Sequence, residues 1–247
     1  MRPDKLYKYC NFKNDNDINN LENCKIWMSN PEGFNDPFDS KPELLEYFIS
    51  DKDFQVKYNE MQQNPSLKSE LNMYSKEQII KILTDAQSEI IKKEFKEFGV
   101  SCFSSNGSNN VMWYYYSMAH TGFTIEMSGQ FGFFDRCHKV SYTSRFPKVD
   151  LGLGLVGTNK SNYVQSIFLN KSPEWSHEEE WRFINNEKEV LYEYHPDELF
   201  AVNIGELASP EHEKQVRDIL KNPKFAHVEL RRMKKTPNSF KLKPEAI

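Results

Sequence analysis

Apolar and polar positions alternate with period two over several short stretches, the pattern of half-buried strands. Leu6-Tyr7-Lys8-Tyr9 is the first, Lys25 to Ser29 the second and Val100 to Ser104 the third. Phe123 to Met127, Lys139 to Tyr142, Glu179 to Ile184, Leu199 to Ile204 and His227 to Leu230 follow. Helical spacing fills the intervals. Residues 17–24 suit a short helix with Asp17 as N-cap. Residues 42–97 are rich in Lys, Glu and Gln, with Leu44, Leu45, Phe48 and Ile49 on one face. Further along, Ile79, Ile80, Ile82 and Leu83 lead into Ile90, Ile91, Phe95 and Phe98. This predicts two or three helices, broken at Asn64-Pro65-Ser66, the last opening at Ser75 with Gln78 in the capping-box position. Shorter helices are predicted from Val111 to near Gly122, over residues 159–170, and from Glu211 to Leu220, where Ser209 is N-cap and Pro210 is N1.

Strands with helices set between them predict an α+β fold on a mixed or antiparallel sheet. Residues 1–247 are read as a single catalytic-like domain, with 42–97 as a helical insertion and 231–247 as a basic C-terminal tail.

Composition narrows the functional classes. Of 247 residues 28% are charged, near the ordinary share, so disorder is not the default. No run approaches the roughly 20 apolar residues that span a bilayer. The N-terminus, Met1-Arg2-Pro3-Asp4-Lys5, has no apolar stretch behind it. Neither a membrane partner nor a secretory leader is expected, and the expected location is the cytoplasm. Cys10, Cys24, Cys102 and Cys137 form no C-x-x-C pair, which suits free thiols. The histidines make no H-E-x-x-H, so no metal site is expected. The chain has no Walker A loop, no G-x-G-x-x-G and no G-x-S-x-G. ATPase, GTPase, dinucleotide-fold oxidoreductase and serine-hydrolase readings are correspondingly weak. Net charge is −4, yet residues 231–243 hold Arg231, Arg232, Lys234, Lys235, Lys241 and Lys243 without an acid. Such a run either contacts phosphates or is a solvated strand and tail.

Four boxes carry candidate chemistry. In Tyr7-Lys8-Tyr9 alternation puts Lys8 on one face and both rings on the other. Phe34-Asn35-Asp36-Pro37-Phe38, after Trp27 and Ser29, is a rigid turn whose Asn35 and Asp36 are expected at a pocket rim. Ser101 to Ser105, with Met112, Trp113 and Tyr116, offers hydroxyls and rings for a ribose and a base. Trp175 to Arg182 is the most pointed. On an extended stretch Glu178 and Glu180 share a face at spacing i, i+2. Desolvation and mutual repulsion are then expected to raise the Glu180 pKa. Arg182 is expected on the opposite face, unable to neutralise Glu180 unless the strand bulges.

Taken in order, these boxes resemble a family of bacterial and phage proteins catalogued as a domain of unknown function, over residues 6 to about 205. They also bear a distant similarity to ADP-ribosyltransferases, which carry a basic residue on the first strand, a Ser-containing second motif and a Glu-x-Glu on a late strand. That similarity implies a split antiparallel sheet around an NAD cleft. Lys8 stands at the first position, where the family has Arg or His; Ser104 matches the second motif and Glu178-x-Glu180 the third. The implied chemistry is cleavage of nicotinamide from NAD. Glu180 stabilises the ribosyl oxocarbenium ion, Glu178 orients or deprotonates the acceptor, and Tyr9, Trp113 or Tyr116 stacks the nicotinamide. Lys8 or Arg182 meets the pyrophosphate. A toxin or anti-phage transferase acting on nucleic acid or protein is the resulting expectation. Two alternatives stand beside it: a nucleic-acid-binding or sensing module that stacks bases on the aromatics, and a glycosidase acting on a nucleobase or NAD with the same carboxylates.

Overall fold

The computed structural model describes residues 3–13, 15–128, 132, 134–152 and 160–247. Along the chain run β1 (Lys5–Cys10), α1 (Asp15–Glu22), β2 (Lys25–Met28), β3 (Glu46–Phe48), α2 (Asp51–Gln62), α3 (Pro65–Leu71) and α4 (Lys76–Phe95). Next come β4 (Gly99–Ser104), α5 (Asn110–Tyr116), β5 (Phe123–Ser128), β6 (Cys137–Lys139), β7 (Ser141–Tyr142), β8 (Lys148–Asp150), α6 (Lys160–Phe168) and β9 (Asn170–Lys171). The last are β10 (Glu180–Asn185), β11 (Val190–Glu193), β12 (Leu199–Ile204), α7 (Pro210–Leu220), β13 (Glu229–Lys235) and β14 (Leu242–Ala246). The protein is mixed α+β. Among the described residues no helix is long and apolar enough to cross a membrane.

The chain divides into two compact units, one comprising Met1–Asn30, Gly99–Val140 and Glu174–Ile247, the other Pro31–Phe98 and Ser141–Pro173. The first unit holds an eight-stranded sheet in the order β14-β13-β12-β5-β1-β4-β10-β6. All its pairs are antiparallel except β12 with β13, and the crossover this parallel pair requires contains α7. One face of the sheet carries the main core: Leu6, Ile125, Met127, Phe103, Phe183 and Val202 pack with Ile18 and Leu21 of α1, Ile26 and Met28 of β2 and Val216 of α7. On the other face Trp113 of α5 packs with Met233, Leu242 and Tyr9. Because both faces are covered, β5 is buried along nearly its whole length, polar residues included.

The second unit has its own core. Phe95 at the end of α4 and Phe98 just after it pack at a tilt, Phe98 stacks on Phe168 of α6, which Phe95 also meets at a tilt, and Tyr163 meets Phe95 edge-on. Its two small sheets are the parallel pairs β3 with β8 and β7 with β9.

Several elements follow from local chemistry. Ser75 and Gln78 cap α4 reciprocally, Asn64 caps α3 after the expected break, and Ser209 caps α7 ahead of Pro210. Others differ from expectation. Asp17 lies inside α1, and its carboxylate accepts from the Asn11 N–H at 2.8 Å instead of capping the helix. Residues 42–48, expected as a helix face, form a 3-10 turn and then β3. Residues 139–142 are two strands, because Val140 donates its N–H to Glu180 in the first unit while Ser141 donates to Leu169 in the second. The helical segment 42–97 does not stand alone as an insertion: residues 31–41 and 141–173 complete its unit. Most of the expected basic tail is in the sheet, as β13 and β14, since every residue from Arg231 to Lys235 has a cross-strand partner on β14. Residues 153–159, including the start of the expected helix at 159, lie outside the described residues.

Candidate functional site

Strand register sets the geometry. Tyr7 pairs with Ser104 on one side and with Glu126 on the other, and Ser104 pairs with Glu180. Glu126, Tyr7, Ser104 and Glu180 therefore form one row across β5, β1, β4 and β10, on the face opposite the main core. The row is held by charge pairing. The buried Glu126 carboxylate meets Lys5 at 2.5 Å and Arg231 at 3.0 Å, and accepts from the Asn203 amide at 3.3 Å. Burial, reinforced by the Glu126 carboxylate, pushes the Tyr7 phenol up to about 12.

Glu180 has a cation of its own. The Arg182 guanidinium donates from Nε to Glu180 Oε1 at 2.7 Å and from Nη2 to Oε2 at 2.9 Å, with both side chains buried. Residues two apart on a strand share a face, so the expectation that Arg182 points away from Glu180 is corrected: regular alternation brings them together. Burial, followed by the Glu180 carboxylate, holds the neighbouring Cys102 thiol well above its ordinary range.

Glu178 is not on the strand. It ends a 3-10 turn, Pro173–Glu178, and Glu179 then takes the left-handed region at φ 47° before β10 begins. The Ser105 N–H donates to the Glu179 carbonyl at 3.0 Å, and the Asn106 amide donates to the Glu179 carboxylate at 2.8 Å. These bonds offset a conformation that costs an L-residue about 1–2 kcal/mol. Glu178 is buried, its carboxylate accepting from the Tyr116 hydroxyl at 2.6 Å and its carbonyl from the Ser104 hydroxyl at 2.6 Å. The shared strand face expected for Glu178 and Glu180 is replaced by a turn.

Lys8 is separated from this row. It pairs with Ile125 on the core face, donates to the Ser101 hydroxyl at 2.7 Å and lies 5.3 Å from the centre of the Phe103 ring. Alternation along β1 exposes Tyr7 to one side and Lys8 to the other, so Lys8, Ser104 and Glu180 do not line one cleft. Nor are β1 and β10 neighbours, because β4 lies between them. Trp113 is fully buried with its indole N–H on the Gly107 carbonyl, and the Tyr9 hydroxyl donates to the Asn106 carbonyl at 2.6 Å. Both rings serve packing rather than an open stacking slot. Ser29 forms a two-way backbone bridge with Val100.

Asn35 and Asp36 belong to the second unit and part company there. Asn35 is exposed; Asp36 is buried, accepts from the Phe38 N–H at 2.9 Å and lines a cavity of about 190 Å³ made entirely of that unit's residues. Sequence reasoning missed Glu126, Asn203 and the Lys171–Asp39 pair, since none sits in a dense motif. It also passed over Tyr114, Tyr115 and Phe240, whose exposure is a tertiary property. Among the described residues no group of three or more His, Cys, Asp or Glu side chains converges as a metal site.

Comparison with family models finds none that matches this chain, and no curated protein and no solved structure shows significant similarity to it.

Proposed function

We propose that this protein binds single-stranded nucleic acid on the face of the first unit formed by α5 and the β13–β14 hairpin. The carrying observation is a ring with no packing role: Phe240, in the hairpin turn, is 97% exposed while its carbonyl accepts from the Asn110 amide at the start of α5. The outer stripe of that region repeats the chemistry. Val111, Tyr114 and Tyr115 of α5 are all exposed at spacing i, i+3, i+4. Beside them Lys235, on the same face of β13 as Met233, and Lys241 in the turn have no ion pair among the described residues, whereas Arg231, Arg232 and Lys243 are paired with acids. Lysines on an edge strand guard against strand addition, and β14 is such an edge. That role does not account for exposed aromatic rings, which suit base stacking between phosphate contacts.

Anisotropy of a labelled single-stranded oligonucleotide tests this. Two lysine contacts give a salt slope of about −1.4, or roughly sevenfold weaker binding between about 50 and 200 mM salt. Phe240→Ala is expected to weaken binding at least about fivefold without lowering Tm. No binding at low salt, or an unaltered Phe240→Ala, removes the proposal.

A second reading, an ADP-ribosyltransferase-like enzyme with a split sheet of that type and NAD as substrate, is favoured by one observation: Ser104 stands opposite Glu180 with Tyr7 in the same row. The nucleobase or NAD glycosidase reading uses the same carboxylates. Either chemistry needs Glu180 released from Arg182, and Lys8 has no part in it. Nicotinamide release from NAD, with transfer to added RNA, DNA or protein, is the direct assay.

A further inference from the structure

We infer that the cavity lined by Asp36, Phe38 and Phe146 in the second unit is a site for a nucleobase carrying an anionic group. Its buried lining includes Asp36, Asp39 and Lys171, and its exposed lining includes Phe38, Phe146 and Arg145. Asp39 and Lys171 face each other at 3.5 Å and offset each other's charge. Asp36 is different. It is 4% exposed, has no cation within ion-pair distance among the described residues, and accepts one backbone N–H, from Phe38. A carboxylate offers about four lone-pair sites, so this buried acceptor has capacity for a ligand that donates. In the exposed lining the Arg145 guanidinium has no ion pair among the described residues and suits a phosphate. Phe38 and Phe146 are 60% and 43% exposed there and offer ring faces to a flat partner.

Size limits the ligand. A volume of about 190 Å³ lies below the roughly 300–1,000 Å³ of drug-sized pockets and admits one ring system rather than a dinucleotide. The combined demands are a planar ring, adjacent N–H donors and a trailing anion. A nucleotide meets them through the donor edge of its base, and guanine meets them best because it presents two neighbouring N–H groups. A free mononucleotide and a nucleotide at the end of a strand share this chemistry. The site lies wholly within the second unit, so its test is independent of the α5 and hairpin surface.

Calorimetric titration of the full chain with GMP tests the inference, with UMP, guanosine and a short RNA ending in guanosine monophosphate as further arms. GMP is expected to bind, guanosine at least about fivefold more weakly for want of the Arg145 contact, and UMP more weakly still. Asp36→Asn keeps an oxygen for the Phe38 N–H while adding a donor that opposes the base, so it should weaken GMP at least about tenfold. Phe146→Ala and Arg145→Ala, both at exposed positions, should each weaken GMP at least about fivefold with Tm unchanged; they decide the matter if Asp36→Asn fails to fold. Tighter binding of the RNA than of GMP, lost in Phe146→Ala, assigns the site to strand ends; equal or weaker RNA binding assigns it to free nucleotide. Absence of GMP binding, UMP binding as tight as GMP, or unchanged affinity in the Phe146→Ala and Arg145→Ala variants overturns the inference.

Discussion

Glu180→Gln is the substitution in which a structural role and a chemical role diverge most. The carboxylate spans Arg182 through contacts of 2.7 and 2.9 Å, and the two side chains are 4% and 0% exposed. Glutamine keeps one oxygen for the guanidinium but turns an NH₂ toward the other donor and removes the compensating charge. Removing one member of a buried ion pair costs about 3–5 kcal/mol, because the remaining charge stays buried. At roughly 2–4 °C per kcal/mol for a domain of this size, the first unit should lose about 6–20 °C in Tm. Thermal and urea unfolding of Glu180→Gln, Arg182→Met and the apolar replacement Glu180→Leu with Arg182→Met supply the test. The apolar pair should be closer to wild type than either single variant, since it leaves no buried charge without a partner. A Glu180→Gln protein within about 1 kcal/mol of wild type would refute the structural assignment and restore Glu180 as a carboxylate available for chemistry.

Further predictions rest on neighbouring features. The Tyr7 phenol, raised to about 12, holds its proton where the unfolded chain gives it up, so its contribution to stability is full below about pH 10 and falls as pH rises toward 12. Tyr7→Phe should flatten that alkaline decline in a Tm-against-pH series. Burial, with Lys235 nearby, lowers the His120 pKa, so the fold favours the neutral ring; the associated stability is present above about pH 6.5 and is lost as pH falls below it. An NMR titration of Lys235→Gln should show the His120 pKa rising, and an unchanged value would exclude the contact. A Cβ at Gly107 would lie 2.5 Å from the Tyr7 ring, so Gly107→Ala should destabilise by about 1–3 kcal/mol in urea melts. The Cys102 thiol, held high by burial and Glu180, should react with a thiol reagent far more slowly at pH 8 than a free cysteine, and Glu180→Gln should quicken it.

The amino-acid sequence by itself determined what local chemistry decides. Alternation located β1, β2, β4, β5 and β12 to within a residue or two, and cap residues located the starts of α4 and α7, because strand period and N-cap hydrogen bonds involve only near neighbours. Tertiary structure alone decided which of the two strand faces meets the core. Alternation separates Tyr7 from Lys8 but does not rank them, since an aromatic ring with a hydroxyl and a long aliphatic stem with a charge both tolerate partial burial. Register then chose the partners: Glu126 found Arg231 from 105 positions away, and Ser104 came to lie beside Glu180. The turn at Glu179 depends on bonds from Ser105 and Asn106, so nothing local distinguishes it from the start of a strand. The cavity at Asp36 likewise joins residues near 36, 145 and 171. Each of these features is a contact across long sequence separation, and such contacts form only when burial of the surrounding core compensates the chain entropy of bringing the segments together.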